Sequence, residues 1–256
     1  MKKMMLILLF LSLGLIGCAD HGASSESVIR IDQSDFLEAD LTLGEFTILE
    51  GFHGFPGDRS DALTLEEAAT IGATYVLNVF RNPLAGMYME LTFNYNPHIS
   101  RSTWIGNIAY SPEDFGGEIE GFLPALLVFS IDALTGERIS IINHSIDPLH
   151  EMADLWMMSE DERWELFPEP DEEEMELMME IAHNFAQRHF AHELIINIEL
   201  GIYLNGVTDS AYFPSPDLFF VATDSEGRIV QIMIQRGTMQ LLSIHTPLEI
   251  LAPNVH

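Results

Sequence analysis

The stretch ALLVFSIDALTGERISII, residues 125–142, predicts two β-strands joined by a tight turn. Apolar and β-branched residues dominate both ends, whereas Asp132-Ala133-Leu134-Thr135-Gly136 in the middle is typical of a turn. Aspartate accepts hydrogen bonds from the backbone of the turn that it opens, and glycine supplies a positive φ at low cost. We therefore expect structural turn roles for Asp132, Thr135 and Gly136. An active-site role for Asp132 would need a base or a metal as partner, and the sequence identifies neither.

The residues before this hairpin predict a helix followed by further strands. Thr64-Leu65-Glu66-Glu67 is a capping box, in which threonine and glutamate each satisfy a backbone N–H of the first turn. Apolar residues follow at helical spacing as far as Val79, and Asn82-Pro83 ends the helix. Residues 87–95 then alternate between apolar and polar, and residues 101–110 predict a second strand.

The second half of the chain repeats the order helix, then strands, without a close sequence repeat. Residues 171–192 predict a helix whose acidic first turn suits the helix dipole. Residues 194–204 are strand-like, residues 218–235 predict a hairpin about a turn at 223–227, and residues 239–244 add a strand. The fold class is therefore α+β, a helix packed on an antiparallel sheet, with two such units in tandem.

Composition places the boundary between these units. Residues 146–170 are acidic and contain three prolines and two tryptophans, which predicts a connector with short helices near 152–158 and 161–166. We assign residues 28–145 to the first unit, with an N-terminal extension that includes a strand near 45–49. Residues 171–256 form the second unit.

The first seventeen residues have the parts of a secretory signal. Lys2 and Lys3 give a positive start, residues 4–16 are almost wholly apolar, and Leu15-Ile16-Gly17-Cys18 forms a cleavage site. The apolar run is too short to span a bilayer, which takes roughly 20 residues. The motif Leu15-Ile16-Gly17-Cys18 resembles the lipobox of bacterial lipoproteins. The resemblance implies cleavage between Gly17 and Cys18 and diacylation of the Cys18 thiol.

Cys18 is the only cysteine among the 256 residues. An exported protein with one cysteine has no internal disulfide, and lipidation removes its free thiol. Two acyl chains suffice for stable anchoring; an ordinary signal peptide with a chance cysteine is the alternative. We expect residues 18–27 to be a flexible tether. The protein is then exported and lipid-anchored to the outer face of the cytoplasmic membrane or to an outer membrane.

The composition is strongly acidic. Forty aspartates and glutamates stand against nine arginines, and the lysines are confined to the predicted signal. Such a charge repels phosphate backbones and anionic lipid heads, so we expect no nucleic-acid partner. The acidic excess either serves solubility or gathers divalent cations or a basic partner.

A group of histidines near the end of the second long helix is the first candidate for metal binding. At about 100° per residue, His183 and His192 face opposite ways and cannot share an ion. His189 and Glu193, about 40° apart, predict a surface pair and remain weak metal candidates. His192 falls on the apolar stripe of the helix and is expected to be partly buried.

The acidic run at residues 171–174, with Glu176 and Glu180, is the second candidate. Carboxylates at a helix start point in different directions, and the spacing of a calcium loop is absent. We expect weak divalent cation binding at most and no dedicated cofactor. The sequence has no Gly-x-Ser-x-Gly motif and no phosphate-binding Gly-rich loop, so it nominates no catalytic residue.

Two motifs carry a family resemblance. Leu63-Thr64-Leu65-Glu66-Glu67-Ala68 opens the first helix, and FSIDALTGE at residues 129–137, the more specific motif, closes the sheet. Through them residues 63–142 resemble a PepSY-like domain, although the loop at 111–123 is longer than that small domain needs. The resemblance implies an extracytoplasmic, non-catalytic domain that inhibits or regulates peptidases.

These observations predict a membrane-anchored extracytoplasmic lipoprotein that is non-catalytic and binds or regulates a protein partner, with a peptidase as a candidate. The alternative is an extracytoplasmic protein that binds or senses a cation or a small ligand. A hydrolase is the third hypothesis, for which the sequence nominates no residue.

Overall fold

The computed structural model describes residues 27–30, 44–51, 59–81, 83–96, 101–115, 125–145, 157–191, 193–204, 207–209 and 214–247. The predicted signal, the lipobox with Gly17 and Cys18, and His192 all lie outside these residues. None of the described helices is both long and apolar enough to cross a membrane.

The strands of both halves join in one ten-stranded sheet with the order β1-β2-β3-β4-β5-β6-β12-β11-β10-β7. The described elements are β1 (Ser27–Arg30), β2 (Glu45–Glu50), α1 (Leu65–Phe80), β3 (Tyr88–Asn96), β4 (Arg101–Ala109), a 3-10 turn (Pro112–Phe115), β5 (Leu127–Asp132), β6 (Arg138–Asn143), α2 (Glu160–Leu166), α3 (Glu172–His189), β7 (Ile195–Leu200), β8 (Ile202–Leu204), β9 (Val207–Asp209), β10 (Asp217–Asp224), β11 (Ile229–Gln235) and β12 (Gln240–His245).

The predicted α+β class is confirmed, with one difference in strand direction. Neighbouring strands of the large sheet run antiparallel except β2 and β3, which are parallel. A parallel pair needs a crossover connection, and α1 provides it between these two strands. The short strands β8 and β9 pair with each other in a separate two-stranded ribbon.

Helix α1 begins at the predicted capping box. The Thr64 hydroxyl accepts from the N–H of Glu67 at 3.2 Å, and a Glu67 carboxylate oxygen accepts from the Thr64 N–H at 2.8 Å. The helix ends at Phe80, and the following residue, Arg81, caps it in the left-handed conformation at φ 60°. The stop predicted at Asn82-Pro83 is thus close to the observed end.

The ring of Phe129 fills a slot between α1 and β4. A Cβ added to Gly72 on α1 would come within 2.0 Å of this ring, and one added to Gly106 on β4 within 2.2 Å. Glycine at both positions therefore lets the helix approach the sheet closely, and it sets the height of α1 above β5.

Helix α3 is shorter than predicted. The Asp171 side chain caps its N-terminus by accepting from the N–H of Glu174 at 2.9 Å. The helix ends at His189, because the chain turns at Phe190 and Ala191 takes a positive φ of 53°. The predicted continuation to residue 192 is therefore wrong, and Glu193 does not lie on the helix.

The two units share one core on one side of the sheet. Helix α1 contacts β2 to β5, helix α3 contacts β7 and β10 to β12, and the helices contact each other. At the seam, Ile141 of β6 pairs with Ile244 of β12, and both side chains are fully buried. The described core is continuous from Phe46 to Ile244.

The connector is attached to the second unit. Its helix α2 has a capping box at Ser159 and lies where the sequence predicts a helix near 161–166. Arg236 donates to the Pro168 carbonyl at 2.8 Å and to both carboxylate oxygens of Glu174 at 2.8 and 2.6 Å. This arginine therefore fixes the end of the connector against the start of α3.

Candidate functional site

The turn between β5 and β6 is organised by Asp132. Its Oδ1 accepts from the N–H groups of Leu134 and Thr135 at 2.9 and 2.8 Å and from the Thr135 hydroxyl at 3.0 Å. Gly136 closes the turn with φ 73°. Arg101 donates from Nε to the second carboxylate oxygen at 2.6 Å. All of these contacts are those of a structural turn.

Hydrogen bonding holds the pKa of Asp132 below its ordinary value. Burial of the carboxyl group would raise this pKa, but the hydrogen bonds from the turn backbone, Arg101 and Thr135 together outweigh burial. The side chain is therefore a fixed anion at neutral pH.

The turn between β10 and β11 uses the same chemistry. Asp224 Oδ1 accepts from the N–H groups of Glu226 and Arg228 at 2.9 and 2.8 Å, and Gly227 takes φ 81°. Arg228 donates from Nε to Asp224 Oδ2 at 2.5 Å. In each hairpin an arginine lies at the start of the second strand, Arg138 in one and Arg228 in the other.

These two arginines lie at the same end of the sheet. Strand β12 lies between β6 and β11 and is antiparallel to both, so β6 and β11 begin at the same end. The two strands are therefore about 10 Å apart. Thr246 follows β12 between them and donates its N–H to the Ile139 carbonyl at 2.8 Å.

A shift in strand register turns Arg138 towards the helices. Between Ser130 and Ile131 the pairing of β5 with β6 slips, so that Ile131, a buried core residue, pairs with Arg138. Paired residues share a face of the sheet. The guanidinium consequently stacks 5.2 Å from the ring centroid of Tyr75 on α1.

Arg138 also covers the end of α3. Its Nη1 donates to the carbonyls of Arg188 and His189 at 2.8 and 3.0 Å, which are among the unsatisfied carbonyls of the last helical turn. Its Nε and Nη2 make no hydrogen bond within the described part of the chain, nor does a described carboxylate lie within ion-pair distance. Burial lowers the pKa of Arg138, but an arginine remains charged at neutral pH.

His189 and Tyr75 form a buried pair where α3 meets α1. The Tyr75 hydroxyl lies 2.7 Å from His189 Nδ1, and His189 is only 3% exposed. Burial, followed by the charges of Arg138 and Arg228 and by His245, lowers the pKa of His189 to about 3. Burial also raises the pKa of Tyr75 far above its ordinary value. Both side chains are therefore neutral at physiological pH.

A cavity of about 490 Å³ opens between these groups. Its polar lining includes Arg101, Arg138 and Arg228, three of the nine arginines of the chain, together with His189. Its apolar lining includes Ile71 of α1, Phe190 after α3 and Ile229 of β11. The volume falls in the range of ligand pockets, which are mostly apolar with a few placed polar groups.

The arginines of the cavity differ in how their charge is compensated. Arg101 is paired with Asp132 and with Glu137, whose carboxylate lies 2.7 Å from Nη2. Arg228 is paired with Asp224 and lies 4.0 Å from Glu193. Arg138 is the exception within the described residues, since its charge faces only helix carbonyls and an aromatic ring.

The metal candidates have other partners. The predicted surface pair of His189 and Glu193 is wrong, because His189 is buried against Tyr75 and Glu193 lies beyond the helix end beside Arg228 and Ser225. No group of three or more metal-ligating side chains is found in the described ranges. The acids at 171–174 occupy the N-terminal end of α3, at the other end of the helix from the cavity.

Sequence reasoning missed Arg138, Arg228 and Tyr75. One signal was present: residues 132–139, DALTGERI, and 224–229, DSEGRI, share an aspartate, then a glycine, then Arg-Ile. The repeat marks two equivalent turns and places an arginine at the start of the strand after each. That both arginines reach one cavity depends on the pairing of β6 with β12, which local sequence does not encode.

No protein-family model matches the chain, and no curated protein matches it. Among solved structures, a distant neighbour is the Bacillus megaterium YpeB C-terminal domain, at 9% sequence identity and a TM-score of 0.38. The match covers 73% of this chain and 64% of that chain, so this chain spans less than two thirds of that structure. Likeness at this level carries no argument about function.

Proposed function

We propose that this protein is an extracytoplasmic binding protein, held at a membrane by lipid on Cys18, which takes a ligand group into the cavity between its two units. The observation that carries the proposal is the chemistry of the cavity. Apolar walls are combined with a half-buried arginine, Arg138, that has no carboxylate partner in the described part of the chain. In so acidic a protein, a cationic site with this composition favours an anionic ligand group.

The role is binding rather than catalysis. The Nδ1 atom of His189 is engaged by Tyr75, and the low pKa of this histidine makes it a poor base at neutral pH. The carboxylates nearest the cavity are paired with arginines or with turn backbone. Cation binding in this cavity is disfavoured, because the arginines repel a positive ion.

The ligand group belongs either to a protein partner or to a small molecule. The resemblance of residues 63–142 to PepSY-like domains supports a protein partner and makes a peptidase the first candidate. The size of the cavity supports a small ligand or one or two residues of a peptide. Both forms of the proposal place the contact at the same cavity.

Site-specific photo-crosslinking in intact cells tests the proposal. A photoreactive diazirine analogue of leucine is placed at position 70, which lines the cavity on α1. The control position is 173, which is exposed in the first turn of α3, about 24 Å along the helix from His189. We expect an adduct, identified by mass spectrometry, from position 70 and none from 173. Equal yields at both positions, or no adduct at either, would contradict binding in the cavity.

The anchor is tested separately. Replacing Cys18→Ala removes the thiol that would carry lipid, so we expect the variant to lose lipid labelling and to leave the membrane fraction or remain uncleaved. The strongly acidic body provides no electrostatic attraction to anionic lipid that could replace the anchor. Membrane partition equal to that of the parent protein would contradict lipid anchoring at Cys18.

A further inference from the structure

Among the arginines that line the cavity, Arg138 has no carboxylate partner in the described residues. Arg101 faces two carboxylates and Arg228 faces Asp224 at 2.5 Å, whereas Arg138 faces none in the described residues. The C-terminal dipole of α3 compensates part of the Arg138 charge through Nη1. Its Nε and Nη2 have no partner among the described residues and remain for a ligand, and these two nitrogens form the fork that binds a carboxylate in bidentate geometry.

His189 adds a neutral donor beside this arginine. A buried tyrosine hydroxyl must donate its proton to avoid an unsatisfied group, and the only acceptor that the described residues offer it is His189 Nδ1 at 2.7 Å. The imidazole, which is neutral, therefore carries its proton on Nε2. Nε2 makes no hydrogen bond among the described residues, although the side chain is 97% buried and lines the cavity.

The rest of the cavity suits an apolar ligand body. Ile71, Phe190 and Ile229 come from three different elements and surround the space in front of the arginine. A charge larger than one would leave an uncompensated anion in a strongly acidic protein, which disfavours phosphate esters that carry two charges.

We propose that the cavity binds an apolar monocarboxylate, whose carboxylate group is held by Arg138 Nε and Nη2 and by His189 Nε2–H. This inference rests on the proposed function, because it names the ligand class of the same cavity. The C-terminal carboxylate of a peptide and a free aliphatic acid share this chemistry.

Matched acid and amide ligands provide the test. Full-length protein in non-ionic detergent is titrated in a calorimeter with N-acetyl-leucyl-leucine and its C-terminal amide, with hexanoate and hexanamide, and with hexyl phosphate. We expect the acid of at least one pair to bind about tenfold or more tightly than its amide, since a charge-assisted contact is lost in the amide. The pair that binds identifies a peptide end or an aliphatic acid as the source.

Variants separate recognition from a purely structural role of Arg138. Arg138→Met keeps an unbranched apolar side chain, shorter than arginine, and removes the guanidinium donors, and we expect the preference for the acid to fall below about threefold. Arg59→Met is the matched control, because it removes one positive charge away from the cavity and should preserve the preference. Should Arg138→Met not fold, Tyr75→Phe replaces it: without the hydroxyl, His189 loses its fixed tautomer, and the preference should fall several-fold.

Several results would overturn the inference. These are equal binding of acid and amide, tighter binding of hexyl phosphate than of hexanoate, or a preference for the acid that survives in Arg138→Met. Absence of binding by all five ligands up to about 10 mM would also overturn it. In that case an adduct from position 70 in cells would leave the proposed function in place with another ligand class, and no adduct would remove both.

Discussion

At the scale of single residues, the turn around Asp132 and the pair of His189 and Tyr75 depend on different kinds of information. The turn is local: aspartate, threonine and glycine occupy the positions that their backbone chemistry favours, and sequence predicts their roles. The histidine pair joins residues 114 positions apart. Helical periodicity cannot predict this contact, because the two residues lie on different helices. Periodicity also fails for Glu193, because α3 ends at His189 and the helical angle assumed for Glu193 does not apply.

The first prediction concerns the contribution of the Asp132 turn to stability. Replacing Asp132→Ala leaves the N–H groups of Leu134 and Thr135 and the Nε of Arg101 without their acceptor. We expect the free energy of unfolding to fall by roughly 2 to 3 kcal/mol, measured by urea denaturation. The control is Asp61→Ala, an exposed aspartate, for which the change should stay within about 0.5 kcal/mol. Equal losses in the two variants would contradict the role of the turn.

The second prediction concerns the pH dependence of the free energy of unfolding, to which the buried His189 contributes. The pKa of His189 is about 3 in the folded protein and near 6.5 in the unfolded chain, so the unfolded chain takes up the proton first on acidification. Its contribution to stability is complete above about pH 6.5 and is lost as the pH falls towards 3. Between pH 7 and 5 this loss amounts to about 2 kcal/mol.

A His189→Phe variant isolates that contribution, because acidification also protonates other groups, including His245 near the same site. We expect the free energy of unfolding to fall more steeply with decreasing pH in the parent protein than in the variant. Parallel curves between pH 7 and 5 would show that His189 titrates normally and that the buried pair is not formed.

At the scale of secondary-structure elements, the close approach of α1 to the sheet is the feature most sensitive to mutation. Replacing Gly72→Ala drives a Cβ into the Phe129 ring, so we expect a loss of at least about 2 kcal/mol in the free energy of unfolding. Gly237→Ala is the control, since a Cβ there meets nothing within 4 Å among the residues that the structure describes and should cost little. The double variant with Phe129→Leu should recover part of the loss, and strictly additive losses would contradict the contact.

Sequence predicted most elements and their order, because capping residues, alternation and turn chemistry are local. Helix α1, the hairpin of β5 and β6, and the hairpin of β10 and β11 all follow from such signals. The register shift between Ser130 and Ile131, which directs Arg138 into the cavity, is not visible in the sequence. Strand register is decided by which faces are buried, and that depends on the helices above the sheet.

At the scale of the whole molecule, the pairing of β6 with β12 joins the two units in one sheet and one core. Replacing Ile141→Ala at this seam removes a fully buried side chain, and we expect a loss of about 3 kcal/mol. Because the core is continuous, unfolding should remain a single transition, with amide exchange accelerated in both β4 and β10. Two separate transitions, or exchange accelerated in one unit alone, would show that the units are energetically independent.

The same pairing creates the cavity, since it sets Arg138, Thr246 and Arg228 side by side at one end of the sheet beneath α1 and α3. The sequence predicts two separate units. It does not indicate that the turn before β6 and the turn before β11 lie two strands apart in one sheet. The site is therefore a property of the assembled sheet, and its function is best tested on the intact protein.

The most direct measurement is protection of the cavity by ligand. Isolated membranes that carry the diazirine analogue at position 70 are irradiated with N-acetyl-leucyl-leucine, with its C-terminal amide, with hexanoate or with hexanamide. We expect an acid to suppress the adduct formed with the native occupant at concentrations where its amide has no effect, and we expect Arg138→Met to abolish this difference. An adduct yield unchanged by either acid, or reduced equally by acid and amide, would contradict carboxylate binding between the two units.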